Sequence, residues 1–470
     1  MAEKSDSFDV VILGGGNAGY AAAFRAAGLG LSVALVEKDK VGGTCLHRGC
    51  IPTKALLHAA DLVDEIRHAD QFGIRAQEPE VEWDKVLAFK DGVVGRMYKG
   101  LAGLVKGKKA IELVQGDGRL EDDRTVAVGD RRLTAERGVV LAPGSYPRDL
   151  PFIQSDGERV HNSNHGLIAK DLPSSVVIVG GNYIGLEFAS VYRSLGAEVT
   201  VVEMLDKIAP AEDEEISSAL LKLLKKRGID FHLGVSVSGA EVTDSGVEVT
   251  IEKDGSGDSL TAERMFVAIG RAPRTDDMGF EEAGVKLDKG FIVTDERFRT
   301  SADGVYAIGD AIVIPDSGWP HPQLAHVAFE EGQKVAEIIA GESSAPVDYP
   351  NVPHVIYCQP EVAAVGLTEA KAKEAGYEVV TAKYQWQANA RALMLGGGQG
   401  FVKTVADRDG AVLGVHIVGA RASDLITEAQ LATSWEAYPS ELADLMHPHP
   451  TLSEALGETF LHLAGKPLHG

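Results

Sequence analysis

Two cysteines with the spacing C-x4-C carry the most distinctive chemistry in this 470-residue chain. They are Cys45 and Cys50, and Pro52 followed by an apolar stretch predicts that Cys50 begins a helix. A helix N-terminus favours the thiolate, so we expect a strained disulfide that exchanges readily. The alternative is a pair of buried thiols without a redox role. The spacing does not favour zinc, and the only other cysteine is Cys358.

The second chemical motif is His447-Pro-His449-Pro-Thr-Leu-Ser-Glu454 near the end of the chain. A histidine here can act as a general base near neutral pH. A carboxylate five residues later, across a turn, can orient the ring and stabilise the imidazolium. A plain surface turn and a metal site built from His447 and His449 remain as alternatives.

A glycine-rich turn, Gly14-x-Gly16-x-x-Gly19, follows the apolar run Phe8–Leu13 and precedes an alanine-rich stretch. Strand, turn and helix in this order predict a dinucleotide-binding unit, with the pyrophosphate at the helix N-terminus. Glu37, 18 positions after the last glycine, is expected to accept hydrogen bonds from the ribose. The alternative is a glycine turn without a ligand.

The pattern returns later in the chain. Three residues lie 166 positions after their counterparts: Gly180 after Gly14, Gly185 after Gly19 and Glu203 after Glu37. Asn182 replaces the middle glycine, so we expect it to crowd the pyrophosphate, although asparagine tolerates left-handed backbone. The charge of Glu203 would repel a 2′-phosphate and favours NAD over NADP. A purely structural unit is the alternative.

Composition excludes several classes of protein. The net charge is −23 and the sequence pI about 5.0, which argues against nucleic acid or an anionic membrane as the partner. No apolar stretch is long enough to predict a membrane span, and the mixed-charge start does not resemble a signal peptide. Three cysteines exclude a secreted disulfide framework, so we expect a cytoplasmic protein. The acidic run 212–215 is interpreted as the solvated start of a helix.

These elements predict an α/β fold with two Rossmann-like dinucleotide-binding domains and an α+β C-terminal domain. The expected segments are 1–150 for the first dinucleotide domain, 151–273 for the second, 274–350 as a continuation of the first, and 351–470 for the α+β domain. Nicotinamide exchanges hydride while a disulfide exchanges electrons through thiolates, and a flavin mediates between them. The first unit, next to the cysteines, is therefore expected to hold FAD and the second NAD.

The chain resembles the flavin-dependent pyridine nucleotide-disulfide oxidoreductases along nearly its whole length. The residues that carry the resemblance are Gly42–Lys54 (GGTCLHRGCIPTK), Ile184–Glu187 (IGLE), Val267–Arg271 (VAIGR), Ala307–Asp310 (AIGD), Gln323–His326 (QLAH), Pro360–Val362 (PEV), Gly366–Glu369 (GLTE) and His449–Glu454 (HPTLSE).

The resemblance implies a role for each of these sites. Cys45 would meet the substrate, Cys50 would lie against the flavin, and Lys54 and Glu187 would sit near the reactive ring. Further FAD contacts are implied for Thr44, Gly118, Gly144, Ser145, Asp310 and Ala325, with Pro143 replacing a threonine that the family usually has. Gly270 would face NAD together with Gly180, Gly185, Glu187 and Glu203. His449, paired with Glu454, would act in the partner subunit's site, which implies a homodimer with the C-terminal domain as its interface.

Within this family the chain is most similar to enzymes that oxidise dihydrolipoyl groups and reduce NAD. That resemblance implies a lipoyl-bearing acyltransferase or a glycine-cleavage component as partner. The alternatives are an NADH-dependent reductase of another low-molecular-weight disulfide or of a quinone, and a flavoprotein scaffold of low turnover. The loop 311–322 is longer than the family usually has, and we expect it to affect access by a large partner.

Overall fold

The computed structural model describes residues 6–469, apart from the side chain of Asp316. Most of the mixed-charge start, residues 1–5, lies outside the described residues. The chain divides into two compact units. Unit 1 contains the described residues up to Pro52, Ala88–Arg148 and Gly270–Tyr349; unit 2 contains Thr53–Leu87, Asp149–Ile269 and the residues from Pro350 onward. The division into four segments stays a prediction.

The strands, in chain order, are β1 (Ser7–Leu13), β2 (Val33–Glu37), β3 (Ile111–Gln115), β4 (Gly118–Leu120), β5 (Thr125–Val128), β6 (Arg131–Leu141), β7 (Ser145–Pro147), β8 (Val160–His161), β9 (Ser175–Val179), β10 (Glu198–Glu203), β11 (Ile229–Leu233), β12 (Ser236–Val242), β13 (Val247–Lys253), β14 (Ser256–Ala262), β15 (Arg264–Val267), β16 (Arg271–Pro273), β17 (Leu287–Asp288), β18 (Phe291–Val293), β19 (Val305–Ala307), β20 (Ile312–Val313), β21 (His354–Ile356), β22 (Glu361–Gly366), β23 (Val379–Gln385), β24 (Phe401–Asp407) and β25 (Val412–Gly419).

The α-helices are α1 (Asn17–Gly28), α2 (Gly43–Arg48), α3 (Cys50–Arg67), α4 (Trp83–Gly107), α5 (Ser163–Gly166), α6 (Tyr183–Ser194), α7 (Glu214–Lys226), α8 (Ala325–Ala340), α9 (Glu369–Glu374), α10 (Ala390–Met394), α11 (Ala422–Ser434), α12 (Pro439–Leu442) and α13 (Glu454–Leu463). Single-turn 3-10 helices lie at Ala69–Phe72, Gly309–Ala311, Pro315–Ser317, Tyr349–Asn351 and Trp386–Ala388.

The main sheet of unit 1 has the order β3-β2-β1-β6-β5-β4, with β19 also paired to β6. Its parallel strands are apolar on both faces, and Val11 and Ile12 are fully buried, as expected for a covered parallel sheet. Helices α1 and α8 pack so closely that a Cβ on Gly332 would lie only 2.4 Å from the carbonyl oxygen of Ala18. Small sheets β16-β7 and β17-β18-β20 complete unit 1.

Unit 2 contains a parallel sheet, β11-β10-β9-β15-β8, and two antiparallel sheets, β12-β13-β14 and β21-β22-β25-β24-β23. Phe188 of α6 packs on Phe266 of β15 with ring centroids 4.4 Å apart. The last sheet packs with α11 and α13, giving the predicted α+β arrangement. The α/β class with two dinucleotide-binding folds is therefore confirmed.

The acidic run before α7 differs from the expectation of a solvated helix start. Glu212 and Asp213 are 3% and 2% exposed. Asp213 accepts a hydrogen bond from Lys403, which is itself almost fully buried on β24. Glu214 stays exposed and Glu215 partly exposed, so only the first two residues of the run depart from the prediction. The lysine that pairs with Asp213 lies 190 positions later in the chain, and the local sequence gives no sign of this contact.

Candidate functional site

The first glycine turn requires the residues that the motif supplies. Gly14 has φ +110°, and a Cβ there would lie 2.1 Å from the carbonyl oxygen of Ala142. A Cβ on Gly19 would lie 1.8 Å from the carbonyl oxygen of Gly14, so this glycine permits the close contact between turn and helix. Gly16 precedes α1 without a side-chain cap, which leaves helix N–H groups for an anion.

Polar groups around this turn fit a dinucleotide. Glu37 accepts the N–H of Gly15 at 2.8 Å and that of Asp39 at 2.8 Å, so its carboxylate is fixed at the end of β2. The side-chain nitrogen of Asn17, at the start of α1, is buried without a hydrogen-bond partner. A buried donor at a helix N-terminus suits a phosphate oxygen. The site therefore fits the predicted FAD.

The start of α2, the helix that contains Cys45, packs directly on this turn. The N–H of Gly42 donates to the carbonyl oxygen of Gly15 at 2.8 Å, and a Cβ on Gly43 would lie 2.7 Å from Cα of Gly16. Cys45 lies in α2 and Cys50 is the first residue of α3, as predicted. Both are partly exposed, so the alternative of two buried thiols is wrong.

A polar cluster in unit 1 surrounds Asp310. Ser145 Oγ donates to Asp310 Oδ2 at 2.5 Å, and Arg271 Nε donates to Ser145 Oγ at 2.7 Å. Burial lowers the pKa of the Arg271 guanidinium, and the charges of Asp310 and Cys50 oppose that shift. Gln323 donates to the carbonyl oxygen of Asp310 at 3.0 Å. Arg271 and Gln323 belong to motifs that carry the family resemblance, but their contacts with this cluster were not predicted from the sequence.

The remaining predicted FAD residues of unit 1 occupy short turns and element ends. Gly118 is in β4, where a Cβ would lie 2.3 Å from the end of the Leu13 side chain, so a larger residue would require that side chain to shift. Gly144 has φ +75° just before β7. Thr44 is in α2, and Ala325 is the first residue of α8.

The second glycine turn repeats the first in detail. Gly180 has φ +111°, and a Cβ on Gly185 would lie 1.9 Å from the carbonyl oxygen of Gly180. Glu203 accepts the N–H of Gly181 at 2.6 Å and that of Leu205 at 2.8 Å, matching the contacts of Glu37. This unit therefore has the backbone of a dinucleotide site, which fits the predicted NAD.

Asn182 does not need the left-handed backbone that was considered for it. Its φ and ψ are −110° and −172°, and its counterpart Gly16 is also extended at −71° and −170°. Any residue adopts this conformation. The side-chain oxygen of Asn182 is buried without a partner, so the side chain has unused hydrogen-bonding capacity at the helix N-terminus.

Lys54 and Glu187 form an ion pair in unit 2. The lysine Nζ lies 2.9 Å from both carboxylate oxygens, and Glu187 has only 6% of its side chain exposed. Tyr357 completes the group: its N–H donates to Glu187 at 3.1 Å, and Lys54 Nζ lies 4.6 Å from its ring centre. Nothing in the sequence around Tyr357 indicated this contact. Gly270, the other predicted NAD residue, has φ +112° and belongs to unit 1.

His449 and Glu454 meet as predicted. His449 Nδ1 lies 2.8 Å from Glu454 Oε1, and Thr451 N–H donates to Glu454 Oε2 at 2.7 Å. Burial opposes ionisation of Glu454, but the hydrogen bonds from Thr451 and His449 prevail and lower its pKa. The histidine side chain is 75% exposed, and the His449–Pro450 peptide is cis.

His447 takes a separate partner. Its Nε2 lies 2.7 Å from Glu428 Oε1, and this hydrogen bond raises the pKa of His447. Within residues 6–469 no group of three or more His, Cys, Asp or Glu side chains could hold a metal ion.

No helix within the described part of the chain combines the length and apolar character needed to cross a membrane.

Comparison with known families matches residues 8–332 to the pyridine nucleotide-disulphide oxidoreductases and residues 352–460 to the dimerisation domain of the same family. The second match supports a homodimer.

Among curated relatives, a dihydrolipoyl dehydrogenase of Bacillus subtilis (strain 168) is 43% identical, covering 98% of this chain and 99% of the relative. A mitochondrial dihydrolipoyl dehydrogenase of Pisum sativum is 38% identical, covering 100% and 94%. Among solved structures, LpdA from Mycobacterium tuberculosis has TM-score 0.88 at 28% identity, covering 97% of this chain and 99% of that one. The flavoprotein disulfide reductase RclA from Escherichia coli has TM-score 0.84 at 26% identity, covering 96% and 99%. The chain therefore belongs to the pyridine nucleotide-disulphide oxidoreductases.

Proposed function

We propose that this chain is an FAD-containing enzyme that oxidises dihydrolipoyl groups to the disulfide and reduces NAD. The observation that carries the proposal is the stacking of the cysteine helix α2 on the first dinucleotide turn, through the 2.8 Å bond from Gly42 to Gly15. This contact puts a redox-active pair and a flavin cradle in one compact unit. The full-length likeness to dihydrolipoyl dehydrogenases supports the substrate.

Proton transfer at the substrate is assigned to His449. Its exposed ring takes a proton from a dihydrolipoyl thiol, while the carboxylate of Glu454 holds Nδ1 and stabilises the imidazolium. Because the side chain is exposed in the isolated chain, we propose that it acts in the site of the partner subunit.

The thiol exchange then follows from the two cysteines. The substrate thiolate attacks Cys45 of the Cys45–Cys50 disulfide and releases Cys50 as a thiolate. The second substrate thiol attacks the substrate sulfur of the mixed disulfide, which breaks the bond to Cys45 and releases the lipoyl disulfide. The proton of this second thiol passes to the departing sulfur, so Cys45 is left as a thiol. Two electrons and two protons have moved from substrate to protein. When bound, FAD supplies the two-electron chemistry that passes this pair to NAD.

The other predicted residues position these groups. Gly14, Gly16, Gly19 and Glu37 would hold the FAD dinucleotide, with Asp310 and Ser145 near its ribityl chain. Gly180, Gly185, Gly270 and Glu203 would hold NAD. The Lys54–Glu187 ion pair, in which Glu187 also accepts the N–H of Tyr357, would serve the flavin ring.

The partner is proposed to be a lipoyl-bearing acyltransferase or a glycine-cleavage component. A lipoyl group attached to such a partner carries its thiols at the end of a long flexible arm. An exposed base such as His449 can contact these thiols. We also propose a cytoplasmic location, because disulfides in that compartment are usually transient and catalytic rather than structural.

Steady-state reduction of NAD by dihydrolipoamide tests the proposal, with NADP as the competing acceptor. Oxidised glutathione plus NADH serves as the comparison disulfide. Fast, NAD-selective turnover supports the assignment. Absence of lipoamide turnover, with the flavin still bleached by NADH, would assign the chain to another disulfide or quinone reductase. Absence of both reactions would support the scaffold alternative.

A further inference from the structure

A buried carboxylate in α8 connects the long loop 311–322 to the turn that carries Asp310. Glu331 has no exposed surface. A carboxylate in such a place must be hydrogen-bonded or paired, since burial of an unsatisfied charge is very costly. Its three donors come from three different segments of unit 1.

The first donor is the turn itself. The N–H of Gly309 donates to Glu331 Oε2 at 2.7 Å, and Gly309 has φ +79° where it begins the 3-10 turn Gly309–Ala311. The next residue is Asp310, whose carboxylate accepts the hydrogen bond from Ser145. The position of Glu331 therefore fixes the backbone immediately before Asp310.

The other two donors meet at the second oxygen. His321 Nε2 lies 2.6 Å from Glu331 Oε1, and the Tyr349 hydroxyl donates to the same oxygen at 2.7 Å. Because a carboxylate only accepts, Nε2 of His321 carries the proton. The His321 side chain is 4% exposed, and its ring contacts that of Tyr349 edge-on at 5.7 Å between centroids. The side chain of His321 therefore lies in the interior of unit 1, although the residue belongs to the loop 311–322.

The second ring nitrogen of His321 has no partner in the cluster. The other ring nitrogen of His321, Nδ1, is buried without a hydrogen-bond partner. Burial removes this nitrogen from water without giving it a hydrogen bond, and van der Waals packing does not offset that cost in free energy.

We infer that His321 is a positioning residue for FAD: through Glu331 it fixes the Gly309–Asp310 turn and so sets how tightly the flavin is held. This inference rests on the proposed placement of FAD at Asp310. It gives the long loop a role in holding the cofactor, whereas from the sequence alone the loop was expected to affect access by a partner.

The test uses the full-length holoenzyme and the variants His321→Phe and His321→Gln. Phenylalanine fills the volume but cannot donate to Glu331, whereas glutamine keeps a donor. We expect His321→Phe to weaken FAD binding by about tenfold, about 1.4 kcal/mol, and to shift the visible flavin spectrum. His321→Gln should stay within about threefold of the wild type. FAD affinity is measured by reconstitution of the apoprotein, followed by flavin fluorescence.

Two controls separate this inference from the placement of FAD. Ser317→Ala changes the interior of the same loop, where the Ser317 hydroxyl donates to the carbonyl oxygens of Ile314 and Trp319, and it should leave the affinity unchanged. Asp310→Ala should weaken FAD binding if the cofactor lies there. Unchanged affinity and spectrum in His321→Phe, with weakened binding in Asp310→Ala, would overturn the role of His321. No effect of Asp310→Ala would overturn the FAD placement instead.

If His321→Phe does not fold, Tyr349→Phe removes the second donor to the same carboxylate oxygen. It should weaken FAD binding in the same direction and shift the same spectrum. Wild-type affinity in a folded Tyr349→Phe, with an unaltered spectrum, would overturn the inference.

Discussion

Replacement of Glu454 by glutamine should harm lipoamide oxidation more than replacement by alanine. The carboxylate now accepts twice, from Thr451 N–H at 2.7 Å and from His449 Nδ1 at 2.8 Å. A glutamine that keeps its carbonyl oxygen on Thr451 must turn its amide nitrogen toward Nδ1. Since that nitrogen is a donor, the ring is driven to the tautomer that carries hydrogen on Nε2. The histidine then cannot accept the substrate proton at Nε2.

The magnitude follows from the same geometry. A misplaced proton removes general-base catalysis, which contributes about 10²–10⁴-fold, so Glu454→Gln should lose about that much in kcat/KM for dihydrolipoamide. Glu454→Ala loses a charge-assisted hydrogen bond of about 1.5–3 kcal/mol but leaves the tautomer free, so we expect a loss of about 10–100-fold.

The assay is NAD reduction by dihydrolipoamide under steady-state conditions. The rate of flavin bleaching by NADH, which does not use His449, serves as the control for folding and cofactor loading and should be unchanged. A Glu454→Gln enzyme as active as the wild type, or more active than Glu454→Ala, would refute the assignment of this pair.

Three further predictions concern unit 2. Lys403→Met should reduce the free energy of unfolding by about 3–5 kcal/mol in urea titrations followed by circular dichroism, because it leaves the buried carboxylate of Asp213 without its lysine partner. The exposed Lys373→Met should cost less than about 1 kcal/mol, and equal effects would contradict the argument. Burial raises the pKa of Glu212 to about 7, so the native state disfavours its charge and stability falls as pH rises from 4.5 to 7. Glu212→Gln should therefore stabilise the chain at pH 8 by up to roughly 3 kcal/mol and by little at pH 4; an equal gain at both values would show that its ionisation is not the cause. Asn182→Gly should change the KM for NAD by less than about threefold, since the backbone is extended and a glycine at this helix start costs only a few tenths of a kcal/mol; a tenfold lower KM would show that the side chain crowds the pyrophosphate.

Local sequence predicts the chemistry of this chain well where a motif is also a local structure. The contact between Gly19 and Gly14 lies within one motif, and Glu37 and Glu203 each bond to a glycine turn only 22 positions earlier. Steric contacts such as the 1.8 Å approach at Gly19 explain why only glycine satisfies them. The His449–Glu454 pair is also local, because Glu454, the first residue of α13, lies only five positions after His449.

The contacts that sequence reasoning missed join residues far apart in the chain. In the sequence, Glu331 is one acidic residue of an amphipathic helix. Its partners Tyr349 and His321 reach it only in the folded chain. The whole acidic run 212–215 was interpreted as solvated for the same reason, although Asp213 is buried against Lys403 of β24. Tyr357 meets Glu187 only after β21 packs beside α6. Buried polar networks of this kind depend on tertiary packing, for which a single sequence carries no local pattern.

The central claim is that electrons enter through the cysteine pair and leave through the nicotinamide. The most direct test is anaerobic rapid mixing of Cys45→Ser with dihydrolipoamide and, separately, with NADH, followed by flavin absorbance. We predict that NADH still bleaches the flavin at the wild-type rate while dihydrolipoamide no longer does. Bleaching of this variant by dihydrolipoamide at the wild-type rate would contradict the account, because the substrate would then reach the flavin without Cys45.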